Sequence, residues 1–248
     1  MKKGVSRFLR KAYRFGKDMA KPFAYIFFAA QEYYLRKHPD KEKLPVTVIG
    51  EGSKIHPRAF IAKQGVVIGR NCLIEADAVI LEHTILEDNV RVMQGSVIGS
   101  DGFVRLKVGK HIISRHSRGK LIIRSGAIIG PHCCVDRAFW RSNTVVGNHS
   151  VLGSNIYVAH DVYIGDKCII FTGAMLAGRA KVDDEATVGF NCSVSNDLII
   201  GKRAIVFPGS VVTKDVPPGA MVSGNFAINH SKHMLILREI ASQSVGIL

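Results

Sequence analysis

Long apolar runs are missing from this chain. No stretch reaches the roughly 18 consecutive apolar residues that a bilayer-spanning helix requires. The stretch 23–30 is too short to span, lies too far in for a signal sequence and lacks a cleavage pattern. The expectation is a cytoplasmic protein. Cysteine is sparse and odd in number, five in all with no C-x-x-C pair, which argues against a disulfide framework or a structural zinc site. Aromatics are only 8%. No nucleic-acid-binding motif interleaves them with basic residues, so nucleic acid is not an expected partner. Acidic residues are outnumbered, 20 against 34 Lys and Arg, for a formal net charge of +14.

That charge is uneven. Residues 1–45 hold twelve Lys or Arg against four Asp or Glu, a net +8, so the remaining 203 residues carry +6. Val5, Phe8, Leu9, Ala12 and Phe15 fall on one helical face, with Arg7, Arg10, Lys11, Arg14 and Lys17 largely around the other. Pro22 should interrupt this helix before it resumes over 23–37. A basic amphipathic extension suits peripheral contact with a membrane surface through residues 1–37, or with an acidic carrier protein. It equally suits a helix packed on the body of an oligomer.

What the chain does have is a ladder with a step of six. Val146, Leu152, Val158, Ile164, Ile170, Leu176, Val182, Val188, Val194, Ile200, Val206 and Val212 follow one another without a break. Ile, Leu and Val make up 66 of 248 residues, so chance does not fill twelve chosen slots. A step of six matches neither a helix nor a simple strand. It marks a coiled β-solenoid, with three short strands per coil of about 18 residues. The frame begins near Ile49, Ile55 and Ile61, slips by one to Ile68, Ile74 and Ile80, and loosens through Ile98. It is interrupted by a charged loop over 104–120, resumes at Ile123, Ile129 and Val135, and is disturbed again around 139–144. Val216-Pro217-Pro218-Gly219 should end it, and residues 228–242 read as a short amphipathic helix. Three segments result: a basic extension (1–45), a β-helix (46–222) and a C-terminal helical tail (223–248).

Two further slots carry information. Four after each aliphatic stand small residues, among them Cys72, Cys133, Cys168 and Cys192, which should point inward as inert side chains. One after is often Gly (Gly147, Gly153, Gly165, Gly189, Gly201), expected to supply unusual turn angles. His132 and His149 fall three after an aliphatic and read as turn residues.

Four stretches point further: Ile98-Gly-Ser-Asp-Gly-Phe103, Val135-Asp-Arg137, Val158-Ala-His-Asp161 and Ala177-Gly178. With the array, they resemble the hexapeptide-repeat acyltransferases, most of all the UDP-3-O-acylglucosamine N-acyltransferases and the related lipid A O-acyltransferases. The resemblance implies an all-β, left-handed parallel β-helix, a homotrimer with sites between subunits, and transfer from an acyl carrier protein or coenzyme A thioester to an amino or hydroxyl group of a sugar. That chemistry needs no bound cofactor and no metal, and places the enzyme in the cytoplasm or at the inner face of the cytoplasmic membrane. It implies His160 as general base and the Gly178 N–H as oxyanion donor, with Asp161 beside them as a supporting residue. By repeat position His160 faces out of the coil, with Gly178 one coil of eighteen residues on.

Asn155, Asp136, Arg137 and Phe103 are candidate substrate contacts. A turn role for Asn155, a buried ion pair for Asp136 and Arg137, and a packing role for Phe103 stand beside that reading. Departures from the relatives leave the substrate open. Only a basic segment of some 45 residues precedes the repeats, where the N-acyltransferase has a uridine-binding domain, and the tail is short where the O-acyltransferase has a helical domain. An acetyl-CoA-dependent sugar acetyltransferase of surface polysaccharide synthesis is one alternative. A non-catalytic or metal-binding β-helix resembling the γ-class carbonic anhydrases is another, with His111 and His116 five apart as its ligand pair.

Overall fold

The structure, a computed structural model, describes residues 44–103, 105–108, 111–114, 117–139, 142–224 and 230–243. Residues 47–102 and those from 117 onward form one compact unit, a parallel β-helix with three sheets of eight, nine and eight short strands. The first sheet runs from Val48–Ile49 to Ile199–Ile200, the second from Lys54–Ile55 to Met221–Val222, and the third from Phe60–Ile61 to Val211–Val212. The chain visits the three in turn, so each strand pairs with its counterpart one coil away. The coil is left-handed, against the usual hand of parallel β crossovers.

The spacing of the pairs records the repeat. Val145 pairs with Tyr163 and Val151 with Ile169, 18 residues apart. Val48 pairs with Val67, 19 apart, which is the one-residue slip in the frame. Two coils are longer. Val97 pairs with Cys134, 37 apart, across the first interruption, and Ile128 pairs with Val151, 23 apart, across the second. Both excess segments leave the coil after the third sheet and return at the first.

All twelve ladder aliphatics are buried, none more than 6% exposed. Each such side chain contributes about 1.5–3 kcal/mol on burial. Cys72, Cys133, Cys168 and Cys192 point inward, and burial pushes the Cys133 and Cys168 thiols up to about 11. Backbone bonds run from coil to coil, as from Gly147 N to Ile164 O at 2.8 Å.

The turns correct one expectation. Positive φ falls three residues after the ladder aliphatic, at His132, His149, Asn155, Asp161, Lys167, Arg179, Glu185, Asn191, Asp197 and Arg203. Gly147, Gly153, Gly165, Gly189 and Gly201, one after the aliphatic, do not have it. They are required for space: a β-carbon on Gly147 would stand 2.2 Å from Gly165 O, and one on Gly201 2.4 Å from Pro218 N. The two prolines do not end the array either, since Met221–Val222 adds a last rung against Ile205–Val206.

A helix, α1, spans His230–Gln243 and leaves Met234, Leu235 and Ile236 exposed. Residues 1–46 and 103–116 form a second unit. Its described part includes an antiparallel ribbon, Arg105–Val108 with Ser114 back to His111. These strands pair with each other, so the frame of six gave no sign of them. The expected N-terminal helices fall on residues outside the described ones, as do the side chains of His111 and His116. No described helix is long and apolar enough to cross a membrane.

Candidate active site

Four successive coils pass the corner between the third and first sheets, with residues 99–102, 137–139 and 142, 159–162 and 177–180. They bring together most of the residues singled out in the sequence. His160 follows the strand Tyr157–Val158 and leaves the coil, yet it is only 8% exposed, because the longer coils cover it. The Phe139 ring meets the imidazole edge-on, with centroids 4.9 Å apart and planes at 76°.

A glycine stands at each end of that ring. A β-carbon on Gly102 would lie 2.9 Å from His160 Cβ and 3.0 Å from Cδ2; one on Gly178 would lie 2.8 Å from both Cε1 and Nε2. Neither glycine has positive φ, so both are there for closeness. The corner that carries Gly178 is fixed by Arg179 N donating to His160 O at 3.0 Å. The Gly178 N–H has no acceptor among the described residues.

Asp161 occupies the left-handed corner slot, φ 61°, which Asp tolerates better than most side chains. The slot places its carboxylate beside the preceding ring: Oδ2 is 2.8 Å from His160 Nδ1. Oδ1 accepts from Ser142 Oγ and from Phe139 N, and Asp161 N donates to Thr144 Oγ1 at 2.9 Å. Burial acts to raise this carboxyl, but the hydrogen bonds from His160, Ser142 and Phe139 outweigh it and hold it below the usual carboxylate range. An ionised carboxylate only accepts. Nδ1 is therefore the protonated nitrogen of the neutral ring, and Nε2 keeps its lone pair. That lone pair is on the ring end nearest Gly178.

Asp136 is 2% exposed and accepts from Ser100 Oγ at 2.5 Å and Tyr157 Oη at 2.6 Å. Burial pushes its carboxyl up; the hydrogen bonds from Ser100 and Tyr157 offset this only in part. Arg137 is spent on protein groups. Nη2 pairs with Asp101 Oδ1 at 2.6 Å, Nη1 with Glu82 Oε1 at 3.2 Å and Gly99 O at 3.0 Å, and Nε donates to Ser117 O at 3.2 Å. Asn155 is an exposed corner residue with φ 55°. Phe103 is 74% exposed and belongs to the second unit. A surface cavity of about 640 Å³ lies on the first coils, between Lys54 and Gln94, and none of the candidate residues lines it. Among the described residues no cluster of three or more His, Cys, Asp or Glu could hold a metal ion.

Gly102, Phe139, Ser142 and Thr144 are neighbours of His160 or Asp161 that sequence reasoning left unassigned. Gly102 lies within the motif Ile98-Gly-Ser-Asp-Gly-Phe103, but its partner stands 58 positions on, with both interruptions between. Counting by eighteen does not reach across them.

Residues 65–100 match the model of the bacterial transferase hexapeptide (six repeats). The chain is 33% identical over 145 residues to the UDP-3-O-acylglucosamine N-acyltransferase of Methylorubrum extorquens strain PA1, covering 58% of this chain and 41% of that protein. It therefore spans about two-fifths of that relative's length. It is 28% identical over 200 residues to the acyl-[acyl-carrier-protein]--UDP-N-acetylglucosamine O-acyltransferase of Campylobacter concisus strain 13826, covering 77% and 71%. Among solved structures it resembles the UDP-N-acetylglucosamine acyltransferase of Bacteroides fragilis, with TM-score 0.56, 26% identity and 75% and 76% coverage. The chain folds as a left-handed parallel β-helix that carries the bacterial transferase hexapeptide repeat over residues 65–100, and it is alike in sequence and in fold to the hexapeptide-repeat acyltransferases.

Proposed function

We propose that the chain transfers an acyl group from a thioester donor, an acyl carrier protein or coenzyme A, to an amino or hydroxyl group of a nucleotide-linked or lipid-linked sugar. The observation that carries the reading is the orientation of His160: Nδ1 is held by an ionised Asp161, and Nε2 is left as a base on the ring end that stands against Gly178.

In this reading Nε2 takes the proton of the acceptor amine or hydroxyl as its nitrogen or oxygen attacks the thioester carbonyl carbon. The carbonyl electron pair moves to oxygen, where the Gly178 N–H stabilises it as a backbone donor. Collapse of the tetrahedral intermediate breaks the carbon–sulfur bond. The sulfur leaves with the proton held by imidazolium, and neutral His160 returns. Asp161 fixes the tautomer and faces the transient imidazolium charge. The basic surface suits either donor, since carrier proteins are acidic and coenzyme A carries phosphates. We assign the active form to a homotrimer working in the cytoplasm or at its membrane face, with Asn155 and Phe103 as candidate acceptor contacts.

Incubation of the full chain with long-chain and acetyl thioesters of both carriers and with UDP-linked amino sugars, read by mass spectrometry, tests this. A product formed by the wild type and reduced on the order of 10²–10⁴-fold in His160→Ala is the expected result. No product from any donor, or equal product from His160→Ala, sinks it. An acetyl product alone moves the reading to a sugar acetyltransferase.

A further inference from the structure

Arg137 sits at the same corner as His160 but does not face it. Its side chain is 9% exposed, and four of its N–H groups are directed at protein acceptors: Ser117 O, Gly99 O, Glu82 Oε1 and Asp101 Oδ1. This leaves almost no donor capacity for a ligand. What it ties together is the exit and re-entry of the long coil. Asp101 Oδ1 also accepts from Ser117 N at 3.2 Å, and buried Ser117 Oγ accepts from Gly102 N at 3.0 Å. Arg137, Asp101, Gly102 and Ser117 thus form a closed ring of bonds. Gly102 is the member of that ring against which the imidazole rests, its β-carbon position being 2.9 Å from His160 Cβ and 3.1 Å from Cγ.

We propose that Arg137 is a positioning residue for His160, acting through Asp101, Ser117 and Gly102 to hold the wall behind the imidazole. The proposal rests on His160 being the base of the acyl transfer described above. Asp161 fixes the direction of the Nδ1 edge, Phe139 packs edge-on against the ring, and the Arg137 ring of bonds sets how far the imidazole can retreat from Gly178. A planar guanidinium with donors in a fixed fork is required, because four acceptors on three chain segments must be met at once. Lysine carries the charge without the fork.

The test compares wild type with Arg137→Met, Arg137→Lys, Ser117→Ala and Gly102→Ala, by steady-state acyl-transfer kinetics and by ¹⁵N NMR of the His160 ring. The expected result for both Arg137 variants is a kcat lower by roughly tenfold to a hundredfold, KM within about twofold, and an altered or doubled set of His160 ring signals. Ser117→Ala should shift the same signals in the same sense, and Gly102→Ala, whose added β-carbon would press on the ring from 2.9 Å, should shift them in the opposite sense. Should Arg137→Met fail to fold, these two decide the matter alone. Native kcat and native ring signals in the folded variants overturn the proposal. So does a raised KM at native kcat, which would make Arg137 a substrate contact. If the wild type transfers no acyl group, the functional reading fails, and the ring signals still decide whether Arg137 positions His160.

Discussion

Gly178 and His160 are a single coil apart, and a β-carbon on Gly178 would stand 2.8 Å from Nε2 of the imidazole. The glycine is needed because the ring end that carries the free lone pair occupies the place of its side chain. Its φ is not positive, so alanine is allowed by the backbone. Gly178→Ala should therefore fold with a midpoint of thermal unfolding within a few degrees of wild type and lose acyl transfer by about a hundredfold. Parallel measurement of melting and turnover checks both halves. Full turnover in the folded variant would separate the glycine from the chemistry.

Asp161 should matter through the tautomer it selects. Asp161→Asn offers Nδ1 an amide that can donate as well as accept, so the ring can carry its proton on Nε2 and lose its base. A drop in kcat of at least about tenfold, with His160 ¹⁵N shifts moving toward the Nε2–H tautomer, is expected. An unchanged tautomer with lowered kcat would give Asp161 an electrostatic role instead.

Asp136, which is buried, and Asp161, which is partly buried, should impose opposite pH dependences on stability. Asp161 is lowered by its hydrogen bonds despite burial. Its contribution is complete above the ordinary carboxylate value and is lost as pH falls through the lower folded value. Asp136 is raised by burial, so the folded chain holds this proton more tightly than the unfolded one. Its contribution favours the fold at acidic pH and is lost as pH rises from the ordinary value through the raised one. Denaturant midpoints across pH 3–7 (roughly the carboxylate range) should show Asp136→Asn gaining on wild type as pH rises, and Asp161→Asn losing. Parallel slopes for the two variants would contradict these assignments.

The corners make a paired prediction. Gly147 has ordinary φ but no room for a β-carbon, whereas Lys167 is exposed and has φ 56°. Gly147→Ala should cost about 1–3 kcal/mol through overpacking against Gly165 O. Lys167→Gly should be neutral or gain up to about 1 kcal/mol, since relief of the left-handed strain offsets the entropy of glycine. Denaturant unfolding of both variants decides it; a destabilised Lys167→Gly with a tolerant Gly147→Ala would reverse the account of the turns.

Thiol reactivity should sort by slot. Cys133 and Cys168 are inside the coil with values near 11, while Cys134 points out of the third sheet and is half-buried. Alkylation of the native protein at mildly alkaline pH, followed by peptide mapping, should modify Cys134 well before Cys72, Cys133, Cys168 or Cys192. Early modification of the interior four would mean that the coil opens.

The sequence by itself determined the solenoid. Its step of six assigned the ladder from Val146 to Val212 and four cysteines to the interior, put His132 and His149 at corners, and set Gly178 beside His160. Each of these follows from local spacing, because a coil of fixed length makes neighbours in space out of neighbours in count. Where the count breaks, the tertiary structure decided. It placed Gly102 behind His160 from 58 positions upstream, brought Phe139 and Ser142 onto Asp161 out of the five-residue excess of one coil, and turned Arg137 toward Glu82 and Asp101. It also placed positive φ three residues after the ladder aliphatic rather than at Gly147, Gly153, Gly165, Gly189 and Gly201. These contacts depend on how irregular segments fold back onto a regular frame. That is governed by side-chain packing and hydrogen bonding between distant segments, which leaves no period in the chain to read.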